Sequence, residues 1–228
     1  MLYPALAFIA VVVFALTHLW AEKLGKLDKF LQGKLLSLGG GVAIAYVFID
    51  ILPRLAKSHY TFQFLFEKHV FVMALAGFML FYLVDKGPGL VQKKRAMRFS
   101  TLCYALFNFL IGYAVVDKSN PEVHPLLLFT FAMALHFLTN DYSLTKSQGE
   151  GYVKKGKWLL ISCLFLGWLA GVAVTIPPAG IALVSAFIGG GVIMNVTRHE
   201  LPKEHPHNSK TFLLAAIIYT LILLLLGS

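Results

Sequence analysis

Long apolar segments alternate with short polar ones along the whole chain. Eight apolar stretches supply about the 20 residues that a helix needs to cross a bilayer. They lie at about 2–21, 35–53, 69–85, 99–116, 125–144, 157–176, 179–200 and 210–227. No connection between them is long enough for a separate soluble domain. The pattern predicts an all-α, polytopic membrane protein with eight transmembrane helices, here numbered helix 1 to helix 8, in one domain, residues 1–228.

The composition excludes other classes of protein. The 228 residues are 58% hydrophobic and 14% charged, whereas soluble domains carry about 25% charged residues. Water-soluble, disordered and coiled-coil chains are therefore excluded. Cys103 and Cys163 lie in separate apolar stretches, so neither a disulfide nor a thiolate zinc finger is expected. The sequence also lacks the nucleophile and phosphate-loop motifs of common enzymes, so no enzymatic activity is expected.

Basic residues are distributed unequally between the connections. The loops after helices 1, 3, 5 and 7 contain 16 of the 20 Lys and Arg residues, and the loops after helices 2, 4 and 6 contain 4. Because positively charged loops stay in the cytoplasm, both termini are predicted outside the cytoplasm, in a cell inner or plasma membrane. The net charge of +9 is thereby explained by membrane orientation, and no nucleic-acid partner is expected.

Cysteine labelling tests this orientation. In a background without Cys103 and Cys163, a single cysteine at Lys118 should react with an impermeant maleimide added outside, and one at Lys94 should not. The reason is that position 94 lies in a loop rich in positive charge, whereas position 118 does not. Labelling at position 94 alone would reverse the topology.

Helices 2 and 7 share a sequence pattern. Helix 2 contains Gly39–Val42 and ends with Asp50–Arg54, and helix 7 contains Gly189–Val192 and ends with His199–Lys203. In the predicted topology these two helices run in opposite directions. Inverted repeats are typical of secondary transporters. The alternative is that the glycines only permit close helix packing.

Helix 5 carries the densest group of polar side chains within a predicted span. Met133, His136 and Asn140 share one helical face, and Thr139 and Asp141 lie beside them. A charged group in the bilayer costs about 2.5–3.5 kcal/mol, so the group requires an explanation. Imidazole, thioether and amide oxygen can bind a metal ion. Alternatively, these side chains hydrogen-bond neighbouring helices together.

Other polar residues are more ambiguous. Asn108 lies near the middle of helix 4, as a ligand or as a packing residue. His18 and Asp50 lie near predicted helix ends, where extension to water explains them as well as function does. Five residues form what we call the exit cluster, either a site that collects or releases a divalent cation or an ordinary solvated interface. They are His199, Glu200, Glu204, His205 and His207.

These features together resemble the ZIP (Zrt/Irt-like) family of divalent metal transporters, and its bacterial members most closely. The run from Gly189 to Pro202, followed by Glu204 and His205, is similar to the family's His-Glu and Pro-Glu ending of helix 7. Leu52-Pro53 is similar to the family's Leu-Pro-Glu ending of helix 2, with Arg54 in place of Glu. The resemblance implies a 3+2+3 arrangement, with an inverted repeat around helices 4 and 5 and both ends outside.

The family's metal motifs are only partly present. Its helix 4 reads His-Asn-x-Pro-Glu-Gly, whereas this chain has Phe107-Asn108-Phe109-Leu110-Ile111-Gly112. In helix 5, His136 matches a family ligand, Asn140 stands at a ligand position and Asp141 lies one place beyond. We therefore expect a single weak metal site or none, with Phe107 and Ile111 filling the space of the lost ligands. The candidate metal residues are His136, Asn140, Asn108, Asp141, His199 and Glu200.

The resemblance implies a transporter that moves a divalent cation, Zn²⁺ or similar, by alternating access. The cation would be the substrate, and a homodimer in the lipid bilayer is one expected assembly. The alternatives are a non-transporting ZIP-fold protein with a structural or regulatory role, or a transporter of a different small solute. In the centre we expect helices 4 and 5 side by side, with His136 hydrogen-bonded to a neighbouring helix.

Overall fold

The computed structural model describes residues 2–30, 33–58, 69–116, 123–200 and 206–226, which form eight helical rods. In chain order the rods are α1 (Leu2–Phe30), α2 (Lys34–Tyr46, the π-helical turn Val47–Ile51 and Leu52–Ser58), α3 (His69–Leu90), α4 (Lys93–Ala114), α5 (Val123–Gln148), α6 (the π-helical turn Tyr152–Gly156 and Lys157–Ala173), α7 (Pro178–Asn195 and the π-helical turn Val196–Glu200) and α8 (Pro206–Leu226). The rods follow the order of the eight predicted helices.

The described surface is that of a membrane protein. Seven of the rods are long and apolar enough to cross a bilayer. The other described rod is α4, whose first two turns carry Lys93, Lys94, Arg95 and Arg98. Large apolar side chains face outward, including Leu214, Ile218 and Leu225 of α8, an exposure typical of surfaces that contact lipid. The described part of the chain is therefore all-helical and compatible with a polytopic membrane protein, as predicted.

Most helices extend beyond their predicted limits, and the extensions are longest in α1 and α4. Helix α1 continues to Phe30 instead of ending near residue 21, and α4 begins at Lys93 instead of near residue 99. The apolar pattern marks only the part of a helix that matches the hydrocarbon thickness, and polar extensions past it leave no such signal. His18 therefore lies well inside α1 and not near its end.

Four pairs of helices make the most extensive contacts: α3 with α7, α4 with α6, α2 with α8, and α1 with α5. Glycines allow close approach in these pairs. A Cβ atom added at Gly190 of α7 would overlap the carbonyl oxygen of Ala74 in α3, and one at Gly167 of α6 would overlap that of Phe109 in α4. Small residues at such crossings let two backbones approach within van der Waals distance. Close packing is thus one established role of the glycines in the repeat.

The two helices of the sequence repeat both change from α-helix to π-helix. In α2 the π-helical turn Val47–Ile51 follows Gly39–Gly41, and in α7 the π-helical turn Val196–Glu200 follows Gly189–Gly191. A π-helical turn inserts an extra residue and redirects the side chains beyond it. The similarity between helices 2 and 7 therefore extends from sequence to local backbone geometry.

Side chains fill the space between the central helices α4 and α5. Phe107 and Ile111 of α4 are fully buried, and the ring of Phe107 lies 6.0 Å from that of His136 in an edge-on arrangement. Their backbones make little direct contact, because α4 packs mainly on α6 and α5 mainly on α1. The expectation that helices 4 and 5 pack side by side is therefore wrong. Phe107 and Ile111 are buried there, and their expected place in the space of lost metal ligands stays a prediction.

Candidate functional site

A buried hydrogen-bond network joins four helices. His18 of α1 contacts Asp141 of α5 through Nδ1, with 2.6 Å to Oδ2, and Asn108 of α4 through Nε2, with 2.8 Å to Oδ1. The hydroxyl of Tyr152, in the first turn of α6, donates to the other carboxylate oxygen of Asp141. All four side chains are buried. We call these four residues the central network.

The hydrogen-bond pattern assigns one proton of the network to a single atom and places a second between two residues. The amide nitrogen of Asn108 donates to the carbonyl oxygen of Tyr104 at 2.9 Å, so its Oδ1 is the acceptor for His18. Nε2 of His18 therefore carries a hydrogen. A second proton lies between Nδ1 of His18 and the carboxylate of Asp141, either as an ion pair or as a neutral pair. The network thus holds one exchangeable proton between an imidazole and a carboxylate.

His18 is a functional candidate whose predicted position near the end of helix 1 is wrong, because α1 continues to Phe30. Its side chain does not extend to water, since the residue is only 2% exposed. It also stacks obliquely on Phe137, with 4.8 Å between ring centroids. The sequence contains a signal for this role, because His18 stands in an apolar stretch without any other charged residue. The predicted helix end at residue 21 concealed the signal by placing His18 close to water. Tyr152 was missed for the same reason, because it precedes the predicted start of helix 6.

His136 and Asn140 form a separate pair one turn apart on α5. Asn140 Nδ2 donates to Nε2 of His136 at 3.0 Å, and Thr139 donates to the carbonyl oxygen of His136 at 2.7 Å. The His136–Asn140 bond lies within one helix. It is therefore not the expected bond from His136 to a neighbouring helix. Because Nε2 accepts from Asn140, its lone pair is engaged. The candidate residues are consequently divided between two groups, with Asn108 and Asp141 in the central network.

The central network is extended towards α7. The hydroxyl of Tyr104, whose carbonyl receives the Asn108 amide, donates to Oδ1 of Asn195 at 3.1 Å. Asn195 Nδ2 is buried and has no hydrogen-bond partner within the part of the chain that the structure describes. An unsatisfied buried amide is costly, so this position is suited to an additional polar ligand.

The exit cluster falls largely outside the described structure. The backbones of His199 and Glu200 belong to the last π-helical turn of α7, and that of His207 to the start of α8. The side chains of these three residues are not described, and Glu204 and His205 lie outside the described residues. Their assignment as metal ligands stays a prediction.

A cavity of about 200 Å³ opens at the opposite end of the helices, the end predicted to face outside. Its walls include Tyr3 at the start of α1, Ile188 of α7 and Arg54 of α2, and Arg54 is the only charged residue among the described ones that line it. Arg54 forms an ion pair with Asp50 and donates to the hydroxyl of Tyr46 at 2.8 Å. The Asp50–Arg54 pair thus places a guanidinium in the wall of this cavity.

Among the described residues, no group of three or more His, Cys, Asp or Glu side chains converges as a metal site. The strongest candidate there combines only one imidazole, one carboxylate and one amide oxygen, those of His18, Asp141 and Asn108. Comparison with known proteins found no family model that matches the chain and no curated protein with a significant match.

Proposed function

We propose that this chain is a membrane transporter with a ZIP-like 3+2+3 arrangement and an inverted repeat, which moves a divalent cation by alternating access. The pairing of the helices carries the proposal. Exchanging α1 with α6, α2 with α7, α3 with α8 and α4 with α5 converts the α3–α7 contact into α8–α2, and the α4–α6 contact into α5–α1. These are the four most extensive helix contacts among the described residues. Such exchange symmetry is expected of an inverted repeat.

The local geometry of the repeat supports the same proposal. The π-helical turns of α2 and α7 occupy corresponding positions after their glycine runs. π-helical turns occur often at functional sites, and discontinuous helices form the substrate sites of many transporters. The moving parts would then be the two symmetry-related halves. A homodimer and a plasma or inner membrane location, with both termini outside, are parts of this proposal.

The cargo site in this proposal consists of Asp141, His18 and Asn108. A carboxylate, an imidazole and an amide oxygen from three helices are ligands that suit Zn²⁺ and similar cations. Because these groups are bonded to one another, a cation must displace His18 from Asp141 and release the proton between them. With one carboxylate the site binds weakly, which allows the cargo to leave again.

A second candidate function rests on Arg54. A cation entering the cavity would meet this guanidinium, and no other charged side chain lines the wall among the described residues. Although Arg54 is paired with Asp50, Asp50 does not line the cavity, so the wall presents the guanidinium, which disfavours cations and favours neutral or anionic molecules. The alternative is therefore a ZIP-fold protein that transports a different small solute or that has a structural or regulatory role without transport.

Zinc uptake into proteoliposomes that contain a zinc-sensitive dye distinguishes these functions. We expect uptake by the wild type and a fall of about tenfold or more in His18→Ala, since a hydrogen-bonded buried ligand is lost. His136→Ala should lower uptake by less than about threefold, because His136 is bonded to Asn140 outside the central network. His124→Ala, at the exposed start of α5, is the matched control and should transport normally.

Two outcomes would count against the proposal. Zinc and other divalent cations that enter no faster than into protein-free liposomes would refute cation transport and favour the second function. A strong defect in His136→Ala with normal uptake in His18→Ala would instead show that the cargo uses the His136 pair. A pH-sensitive dye in the same vesicles should record one proton leaving the site as a cation binds.

A further inference from the structure

A second, larger groove lies at the end of the helices opposite the cavity. It has a volume of about 720 Å³ and runs between the first turns of α4, the end of α5 and the first turns of α6. Basic side chains line it near the first turns of α4 and α6, and Leu102 and Leu159 line it further along the same helices. We call it the basic groove. The basic side chains are Lys93, Lys94, Arg98 and Lys155.

No carboxylate among the described residues forms an ion pair with the basic side chains of the groove. All four basic side chains are exposed. The nearby carboxylate of Glu150 is paired with Lys154 at 2.6 Å, and Lys154 does not line the groove. Four cations around one concave surface create a strongly positive local potential. An anionic partner is therefore expected.

The depth of the groove points to the membrane interface. Trp158, which precedes the groove residue Leu159, is 53% exposed, with Lys157 Nζ 6.0 Å from its ring centre. Trp side chains collect at headgroup level. Leu102 is 61% exposed and lies nine residues after Lys93, roughly 14 Å along the helix. The groove thus leads from a charged end to an apolar surface that faces lipid.

We infer that the basic groove binds an anionic phospholipid, with its phosphate between the basic side chains and one acyl chain along Leu102 and Leu159. Free phosphate would use the charges but leave the apolar part and most of the volume empty. A zwitterionic lipid would fill the apolar part without compensating the charge. Basic pockets between transmembrane helices on the cytoplasmic side are suited to acidic headgroups, and the charge distribution predicts that side for this end of the helices.

Binding of soluble short-chain lipids to the purified full-length protein tests the inference. Dioctanoyl phosphatidylglycerol should bind in isothermal titration at constant ionic strength, whereas dioctanoyl phosphatidylcholine and inorganic phosphate should bind at least about tenfold more weakly. Replacing the four basic residues with Gln (K93Q, K94Q, R98Q and K155Q) should weaken phosphatidylglycerol binding by about tenfold or more, because each charge contributes to lipid attraction.

A charge-matched control removes four other exposed lysines predicted on the same side of the membrane, as K23Q, K34Q, K146Q and K210Q. It should retain at least half of the wild-type affinity. An equal loss in this control would overturn the site, as would equal binding of phosphatidylcholine or of phosphate. If the groove variant does not fold, Leu102→Gln provides the test, because Leu102 is mostly exposed. It should weaken phosphatidylglycerol binding, and unchanged binding would overturn the proposed acyl contact.

Discussion

Replacing Asp141 with Ala is expected to lower the free energy of unfolding by about 3–5 kcal/mol. The substitution leaves Nδ1 of His18 and the hydroxyl of Tyr152 buried without the carboxylate that both contact. A buried group that loses its partner carries the full cost of desolvation. For a chain of 228 residues, such a loss corresponds to a decrease of roughly 10 °C in Tm. Thermal unfolding of the detergent-solubilised protein, followed by tryptophan fluorescence, measures it.

Glu150→Ala is the matched control for Asp141→Ala. It also removes a carboxylate with a partner at 2.6 Å, but Glu150 and Lys154 are largely exposed. Exposed ion pairs contribute little to stability, so Tm should stay close to that of the wild type. A double variant, His18→Ala with Asp141→Ala, should lose less than the sum of the two single losses, because both remove the same bond. Strictly additive losses would show that the bond does not stabilise the fold.

The helices could be predicted from the sequence because a bilayer imposes a minimum length of apolar residues. Their polar extensions could not, since residues beyond the hydrocarbon layer are free to be helical or not. This limit explains the error at His18: an end near residue 21 places it close to water, whereas α1 continues to Phe30. The partners of His18 could not be predicted either, because Asn108 and Asp141 lie 90 and 123 positions away in the chain.

Helical periodicity predicted correctly which residues share a face of α5, but not what each face contacts. Asn140 lies four residues after His136 and bonds to it, as expected for one face. Asp141 is one residue further on, which turns it about 140° away from His136. It therefore meets His18 of α1 and Tyr152 of α6. A candidate site assembled from one helix thus combined residues that belong to two separate groups.

Replacing Gly190 with Ala is expected to lower the free energy of unfolding by about 3 kcal/mol, at the upper end of the cost of overpacking. The new methyl group would overlap the carbonyl oxygen of Ala74, and the backbone nitrogen of Phe78 would lie 2.9 Å from it. Backbone atoms of a helix cannot rotate aside as a flexible side chain can. Helices α3 and α7 would have to separate, and the same thermal unfolding measurement records the loss.

The sign of this effect separates packing from helix propensity. Alanine is favoured over glycine inside a helix by about 1 kcal/mol, so propensity alone predicts that Gly190→Ala stabilises the protein. Gly89→Ala is the control, since nothing lies within 4 Å of a Cβ atom at that position of α3. It should leave Tm unchanged or raise it slightly. If Gly190→Ala behaved in the same way, α3 and α7 would not be in the close contact on which the symmetry of the helix pairs depends. A loss at Gly190 with no loss at Gly89 would instead establish that the glycine run of α7 is required for close helix approach, whether or not the repeat also serves transport.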